Sequence, residues 1–208
     1  MSATTLTDRI FDDTDTTPVD PFSLFEEWFA EAQEREPNDP HAMAFASVDD
    51  DGLPDVRMVL LNARDSRGFC FFTNFESDKA RQLLANPRGA MVMHWKSLRR
   101  QVRARGVVEV VSDGEADAYF ASRSRASQIG AHASKQSRPL ANRYALLERV
   151  ETLTKSFNDE PVTRPADWSG FRLIPQTMEF WKDGANRLHD RVRLTRTDSG
   201  WQRQRLYP

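Results

Sequence analysis

Three clusters of side chains in this sequence have types and spacings that suit chemistry on an anionic ligand. The first is Trp181-Lys182-Asp183-Gly184-Ala185-Asn186-Arg187-Leu188-His189-Asp190-Arg191. Asp183-Gly184 is a tight-turn signal, so the residues beyond it are expected on a strand. Alternation then puts Arg187, His189, Arg191 and Arg193 on one side, with Leu188 and Val192 on the other. Guanidiniums beside an imidazole form a receptor for a phosphorylated, electron-rich molecule, although the same row also suits a solvated basic edge strand.

The second cluster is Tyr119, Arg123 and Ser127, which share a stripe if the segment is one continuous helix. A phenol, a guanidinium and a hydroxyl at that spacing match the three oxygens of a phosphate monoester, or simply a solvated helix face. The third is Phe72-Thr73-Asn74 followed by Ser77-Asp78-Lys79, where Ser77 caps a helix expected over Asp78–Ala85. Free amides at that helix start, with a lysine beside them, favour an anion.

Other chemistries are excluded by residue type. There is no glycine-rich dinucleotide loop, P-loop or His-Glu-x-x-His. His41, His94, His132 and His189 are too dispersed for a local metal motif, and no metal is expected. Cys70 is the single cysteine, so no intrachain disulfide can form. Its setting, Phe69-Cys70-Phe71-Phe72, suggests a buried and inert thiol. With 29 basic and 31 acidic residues the net charge is -2, which argues against general nucleic-acid affinity. No apolar run is long enough for a membrane span, and no signal-peptide core is visible, so a cytoplasmic location is expected.

The elements that must position these clusters follow from local patterns. Residues 1–19 are rich in Thr and Asp and are expected to form a mobile arm. Asp20-Pro21 opens a helix whose Phe22, Phe25, Trp28, Phe29 and Ala32 form one apolar face. Strands are expected over Ala42–Val48, Val56–Leu61, Phe69–Thr73, Ala90–Trp95 and Gln101–Val111. Ser112-Asp113-Gly114-Glu115 is a capping box, and further helices should start near Ala126 and run from about Leu140 to Phe157. Phe171–Ile174, Thr177–Trp181, Leu188–Thr195 and Trp201–Leu206 complete the strands. No linker or repeat divides residues 20–208, so one α+β, mainly β domain is expected, built on a closed or nearly closed antiparallel barrel.

Taken together, these motifs resemble the pyridoxine/pyridoxamine 5′-phosphate oxidases, over nearly the whole chain after about Asp20. The matching segments are Arg57-Met58-Val59-Leu60-Leu61, Phe72-Thr73-Asn74, Arg100-Gln101-Val102, Ser127 to Ala131, Ser134 to Ser137, and Trp181 with Arg187 to Arg191. The resemblance implies an FMN-binding split β-barrel working as a homodimer, with FMN in clefts between subunits. It assigns the flavin to Arg57, Met58, Val59, Leu60, Leu61, Asn62, Phe72, Thr73, Asp78, Lys79, Gln101, Gln136, Ser137, Trp181 and Arg191. It assigns the substrate, a small phosphorylated pyridine, to Asn62, Tyr119, Arg123, Ser127, Arg187, Leu188 and His189. Of these, Arg187 and His189 would hold the ring while hydride leaves for the flavin and oxygen becomes hydrogen peroxide. Asn62 replaces the family's usual lysine, Asp78 a frequent arginine and His132 a common tryptophan, and the N-terminal arm lacks the Arg-Arg-Glu-Tyr segment of some members. A sibling flavin oxidase acting on phenazine precursors, or a non-catalytic protein binding FMN or pyridoxal phosphate, are the alternatives.

Overall fold

The computed structural model describes residues 5–208. Nine strands form one antiparallel sheet in the order β2-β1-β5-β6-β7-β4-β3, with the β8–β9 hairpin branching from β7. The two ends of that path are β2 (Pro54–Leu60) and β3 (Ala63–Asp65), which only Leu61 and Asn62 separate in the chain. The sheet must therefore curl until its edges meet, which is the expected split barrel. Between the edges stand β1 (Ala42–Val48), β5 (Arg88–Trp95), β6 (Arg100–Val110), β7 (Trp168–Lys182) and β4 (Gly68–Asn74).

β7 runs unbroken through the Pro175-Gln176 pair that the sequence pattern reads as a gap between two strands. The ladder with β6 shifts register at Arg105/Gly106, opposite that proline. A bulge is where a strand tolerates a residue with no N–H to donate. Gly106 is required there, since a Cβ would lie 2.0 Å from the Ile174 carbonyl oxygen. Beyond the bulge, the first half of β7 pairs with β4 and the second half with β8 (Asp190–Thr197).

Helix α2 (Pro21–Arg35) starts where Asp20 accepts the Ser23 N–H and Pro21 takes the first turn. Its Phe25 and Trp28 are fully buried, each side chain worth roughly 1.5–3 kcal/mol of apolar transfer. Phe25 meets Phe69 edge-on at 4.8 Å and Trp28 meets Phe180 at 5.2 Å, so the helix packs on β4 and β7.

Residues 5–19 are anchored more firmly than the mobile arm expected over residues 1–19 from composition. Residues 1–4 lie outside the described residues, but Leu6–Phe11 form helix α1, with Thr5 and Asp8 making a capping box. Ile10 is 1% exposed, and Glu27 accepts the N–H groups of Leu6 and Thr7. Short-range composition missed it because its anchors are distant: Arg203 and Arg205 of β9 (Gly200–Leu206) donate to the carbonyls of Arg9, Asp12 and Phe11.

Candidate active site

The expected anion-binding residues converge on a cavity of about 440 Å³ between the end of β2, β4, the start of helix α3 (Asp78–Ala85) and the helices after β6. Met58, Val59, Leu60, Asn62, Phe72, Thr73, Lys79, Tyr119, Arg123, Ser127 and Gln136 all line it, and Trp168 joins them. Trp168 was not expected from the sequence. Its aromatic type at the start of a strand was the available signal.

At one end of the cavity the charge is a buried lysine. Lys79 is 8% exposed, and Nζ donates to Thr73 Oγ1 at 3.0 Å, Ser77 Oγ at 3.3 Å and Gln136 Oε1 at 3.1 Å. No carboxylate lies within ion-pair distance of it among the described residues. Burial, and then the neighbouring Arg57 charge, push its pKa down to about 8. An ammonium held among neutral acceptors, facing a cavity, is arranged for an anion that comes from outside. Ser77 caps α3 by accepting the Ala80 N–H, and the Asp78 N–H donates to Ser137 Oγ at 3.2 Å. The Asp78 carboxylate pairs with Arg81 of its own helix and, lying beyond ion-pair distance of Lys79, acts on it only as a weaker opposing charge.

Arg57 does not line the cavity. Its guanidinium donates to Ser47 Oγ at 2.6 Å and pairs with Asp55 at 2.5 Å, close enough to Lys79 to influence it. Leu61 is a core residue at 5% exposure and does not line the cavity.

The second end is aromatic. Phe72 stacks on Tyr119 at 4.1 Å and on Trp168 at 5.5 Å. The Arg123 guanidinium lies 5.0 Å over the Trp168 ring, and its Nη1 is buried with no partner. Burial lowers its pKa. The chain reaches this arrangement through the two separate helices expected here, and not through the single continuous helix that a shared stripe would need. Helix α4 (Asp113–Ser122) stops at Arg123, and Ser124 caps a new helix, α5 (Arg125–Ala133), by accepting the Ser127 N–H. The break turns the chain so that Tyr119, Arg123 and Ser127 still reach one cavity.

The remaining expected residues stand elsewhere. Gln101 faces Trp181 across β6 and β7, and Trp181 faces Arg191 across β7 and β8, a transverse row on the sheet. Glu179, not expected from the sequence, accepts from Arg191 Nε at 3.0 Å and Nη2 at 2.8 Å. Its signal was a position two residues before Trp181, hence on the same face. Asp183-Gly184 does not make a two-residue hairpin. A loop with a 3-10 turn at Ala185–Arg187 intervenes, β8 begins only at Asp190, and Asn186 and Arg187 take positive φ of 56° and 63°. Arg187 and His189 are therefore loop residues rather than strand neighbours of Arg191. Cys70 is buried and its pKa is raised to about 11 by desolvation, as an inert thiol requires.

Residues 29–156 match the pyridoxamine 5′-phosphate oxidase family, and residues 168–208 match the pyridoxine 5′-phosphate oxidase C-terminal dimerisation region. The chain belongs to the pyridoxamine 5′-phosphate oxidase family. It is 57% identical to the pyridoxine/pyridoxamine 5′-phosphate oxidase of Gluconobacter oxydans (strain 621H), covering 91% of this chain and 95% of that protein. It is 55% identical to that of Rhizobium etli (strain CIAT 652), over 100% of both. Among solved structures, PhzG from Burkholderia lata 383 in complex with tetrahydrophenazine-1-carboxylic acid superposes with a TM-score of 0.87 at 30% identity, covering 95% of this chain and 96% of that one. A pyridoxamine 5′-phosphate oxidase-related, FMN binding protein from Nostoc punctiforme PCC 73102 shares the fold at TM-score 0.74 and 16% identity, covering 92% of this chain and 100% of that one.

For a pyridoxamine 5′-phosphate oxidase family member, the cofactor is a flavin, and the donors around Lys79 fit its anionic end. The family's dimerisation region contains both Trp181 and Arg191. β2 presents Val56 and Met58 outward at 65% and 64% exposure, apolar surface beside the cavity mouth. No described helix is long and apolar enough to cross a membrane, and no described cluster of His, Cys, Asp or Glu suits a metal.

Proposed function

We propose that this protein oxidises pyridoxamine and pyridoxine 5′-phosphates to pyridoxal 5′-phosphate, with FMN as cofactor and oxygen as acceptor, in a homodimer. The observation that carries the reading is a single cavity with two unmatched cations, Lys79 at one end and Arg123 at the other. Two phosphorylated molecules, a flavin mononucleotide and a B6 phosphate, call for two such groups.

Lys79, Thr73, Ser77, Ser137 and the first amides of α3 would hold the FMN phosphate. Val59 to Asn62 would line the flavin through their strand, with Gln136 at its edge. The chemistry supplied by bound FMN is acceptance of hydride from the substrate C4′ and delivery of its electrons to oxygen as hydrogen peroxide. The chain's own part is placement. Tyr119, Arg123 and Ser127 clasp the substrate phosphate, and the Phe72–Tyr119–Trp168 stack walls that end from water.

The homodimer is supported by the separation of the carried-over flavin residues. Those lining the cavity and those in the Gln101–Trp181–Arg191 row occupy two different surfaces of one chain. A second subunit bringing its row, with Arg187, Leu188 and His189, to the cavity would complete each site. Arg187 and His189 would then hold the pyridine against the flavin.

The likeness to PhzG raises a sibling oxidase of phenazine-type substrates. The ligand named for that structure carries a carboxylate and no phosphate, whereas the meeting of Tyr119, Arg123 and Ser127 in one cavity supports the reading of a phosphate site. Chromatography of flavin released from purified protein tests the cofactor: FMN is expected. Colourless protein that binds no added FMN would overturn the reading.

A further inference from the structure

Arg164 does not line the cavity, yet its side chain joins the two elements that carry the cavity's aromatic end. Its guanidinium donates from Nε to Asp117 at 2.6 Å and from Nη2 to Asp113 at 2.9 Å, both on α4. The third nitrogen, Nη1, donates to the carbonyl of Trp168, the first residue of β7, at 2.8 Å. The arginine side chain is 15% exposed, whereas those of Asp113 and Asp117 are 89% and 61% exposed. Packing fixes the cation, and the acids come to it from α4.

Helical spacing lets one arginine do this. Asp113 and Asp117 are one turn apart and share a face, and Phe120 follows on the same side. Phe120 is buried and meets the Trp168 ring edge-on at 5.1 Å. A planar guanidinium presents its donors in a fixed fork, so three acceptors on two elements must keep their places relative to one another. The other attachments of these elements run elsewhere. Asn74 Nδ2 donates to Asp167 at 2.8 Å and the Phe75 N–H to the Asp167 carbonyl at 2.6 Å, which pins the start of β7 to the end of β4. Glu115 accepts from Arg172 of β7 at 2.6 Å and secures the first turn of α4. We propose that Arg164 is a positioning residue for the substrate-phosphate clasp: by tying Asp113 and Asp117 to the Trp168 carbonyl, it seats α4 against Trp168 and sets Tyr119 and Arg123 where they meet the ligand. That the ligand is a B6 phosphate rests on the function proposed above, whereas the tie itself does not.

The test is steady-state kinetics and amide hydrogen exchange on the FMN-loaded protein. Arg164→Ala should raise KM for pyridoxine 5′-phosphate about fivefold, with kcat within about twofold and FMN content unchanged. Asp117→Asn, a change at an exposed side chain, should raise KM about twofold, so the tie is read even if Arg164→Ala folds poorly. Charge alone is a rival cause, because loss of Arg164 leaves two carboxylates unmatched on the helix that carries the clasp. Combining Arg164→Ala with Asp113→Asn and Asp117→Asn removes that repulsion, and KM should stay raised. In an Arg123→Ala background, Arg164→Ala should add less than about twofold, since it acts through the clasp. Amide exchange reads the tie without substrate: α4 should exchange faster in Arg164→Ala while α3 keeps its wild-type protection. Unchanged exchange in α4, an unchanged KM in both single variants, or a KM restored by removing the two carboxylates overturns the proposal. Faster α4 exchange in a protein that oxidises no B6 phosphate upholds the tie and removes the substrate reading alone.

Discussion

Lys79 donates from Nζ to the side-chain carbonyl of Gln136 at 3.1 Å, linking the first turn of α3 to the segment that follows α5. Thr73 donates to the same oxygen at 2.8 Å, so Gln136 gathers two donors at the Lys79 end of the cavity. The lysine is thereby held with its charge unmatched, at a pKa of about 8 against an ordinary 10.5.

That depression makes FMN binding pH-dependent. Free protein loses the Lys79 proton above about pH 8, and a phosphate dianion favours the protonated form. The Kd for FMN should therefore rise by about tenfold per pH unit above that point, until the pKa of the complex is reached. The folding sign is opposite. Between about 8 and 10.5 the unfolded chain binds more protons, so the flavin-free protein should gain stability as pH rises through that window. Lys79→Gln should bind FMN weakly and flatten both profiles. Fluorescence titration and denaturant midpoints at several pH values check this, and a wild-type Kd that does not change between pH 7 and 9.5 would contradict it.

Arg123→Ala should raise KM for the phosphorylated substrate by ~10–100-fold, about 1.5–3 kcal/mol for a lost charge-assisted bond. Flavin content should barely change, because the donors proposed for the FMN phosphate lie around Lys79. Loss of FMN at unchanged KM would show that Arg123 serves the cofactor.

Much of this site was legible in the sequence, and what was not has physical causes. Ser77 and the Ser112/Glu115 box announced α3 and α4 because capping is local. Ser124 was ambiguous, since its hydroxyl competes with the helix it interrupts, and only the fold shows it capping α5. The loop after Asp183 was misread because its contacts run to Arg99 on a different strand connection. The seat of α1 was invisible for the same reason: Arg203 and Arg205 reach it from the far end of the chain.

Asn62 stands where the family usually has a lysine. Asn62 lines the cavity, and its Oδ1 accepts the Phe72 N–H at 3.3 Å. The two cations closest in sequence pattern to a substitute for the missing lysine are committed elsewhere. Arg64 binds Glu26 at 2.6 and 2.8 Å and lies over Phe29, while Lys182 pairs with Asp190. Asn62→Lys should accordingly lower KM by roughly 3–10-fold, with kcat within about twofold, on the scale of a partly exposed charge worth on the order of 1 kcal/mol. The gain should shrink in high salt. An unchanged or higher KM would mean the position is already compensated.

A site shared between subunits, as proposed above, makes impaired variants complementary when they are assayed at substrate well below the raised KM of Arg123→Ala. Arg191→Ala and Arg123→Ala chains, mixed and allowed to exchange, would form some dimers with one site intact and the other doubly broken. Random exchange predicts recovery of about a quarter of wild-type activity. Recovery absent despite demonstrated exchange would place both arginines in a site from one subunit.

The central claim, that a phosphorylated pyridine gives its hydride to flavin in this cavity, is tested most directly by anaerobic mixing of the yellow protein with pyridoxine 5′-phosphate. Flavin absorbance should bleach within turnover time and return when oxygen is admitted, with pyridoxal 5′-phosphate formed in proportion. Absorbance that stays unchanged at saturating substrate would contradict the account.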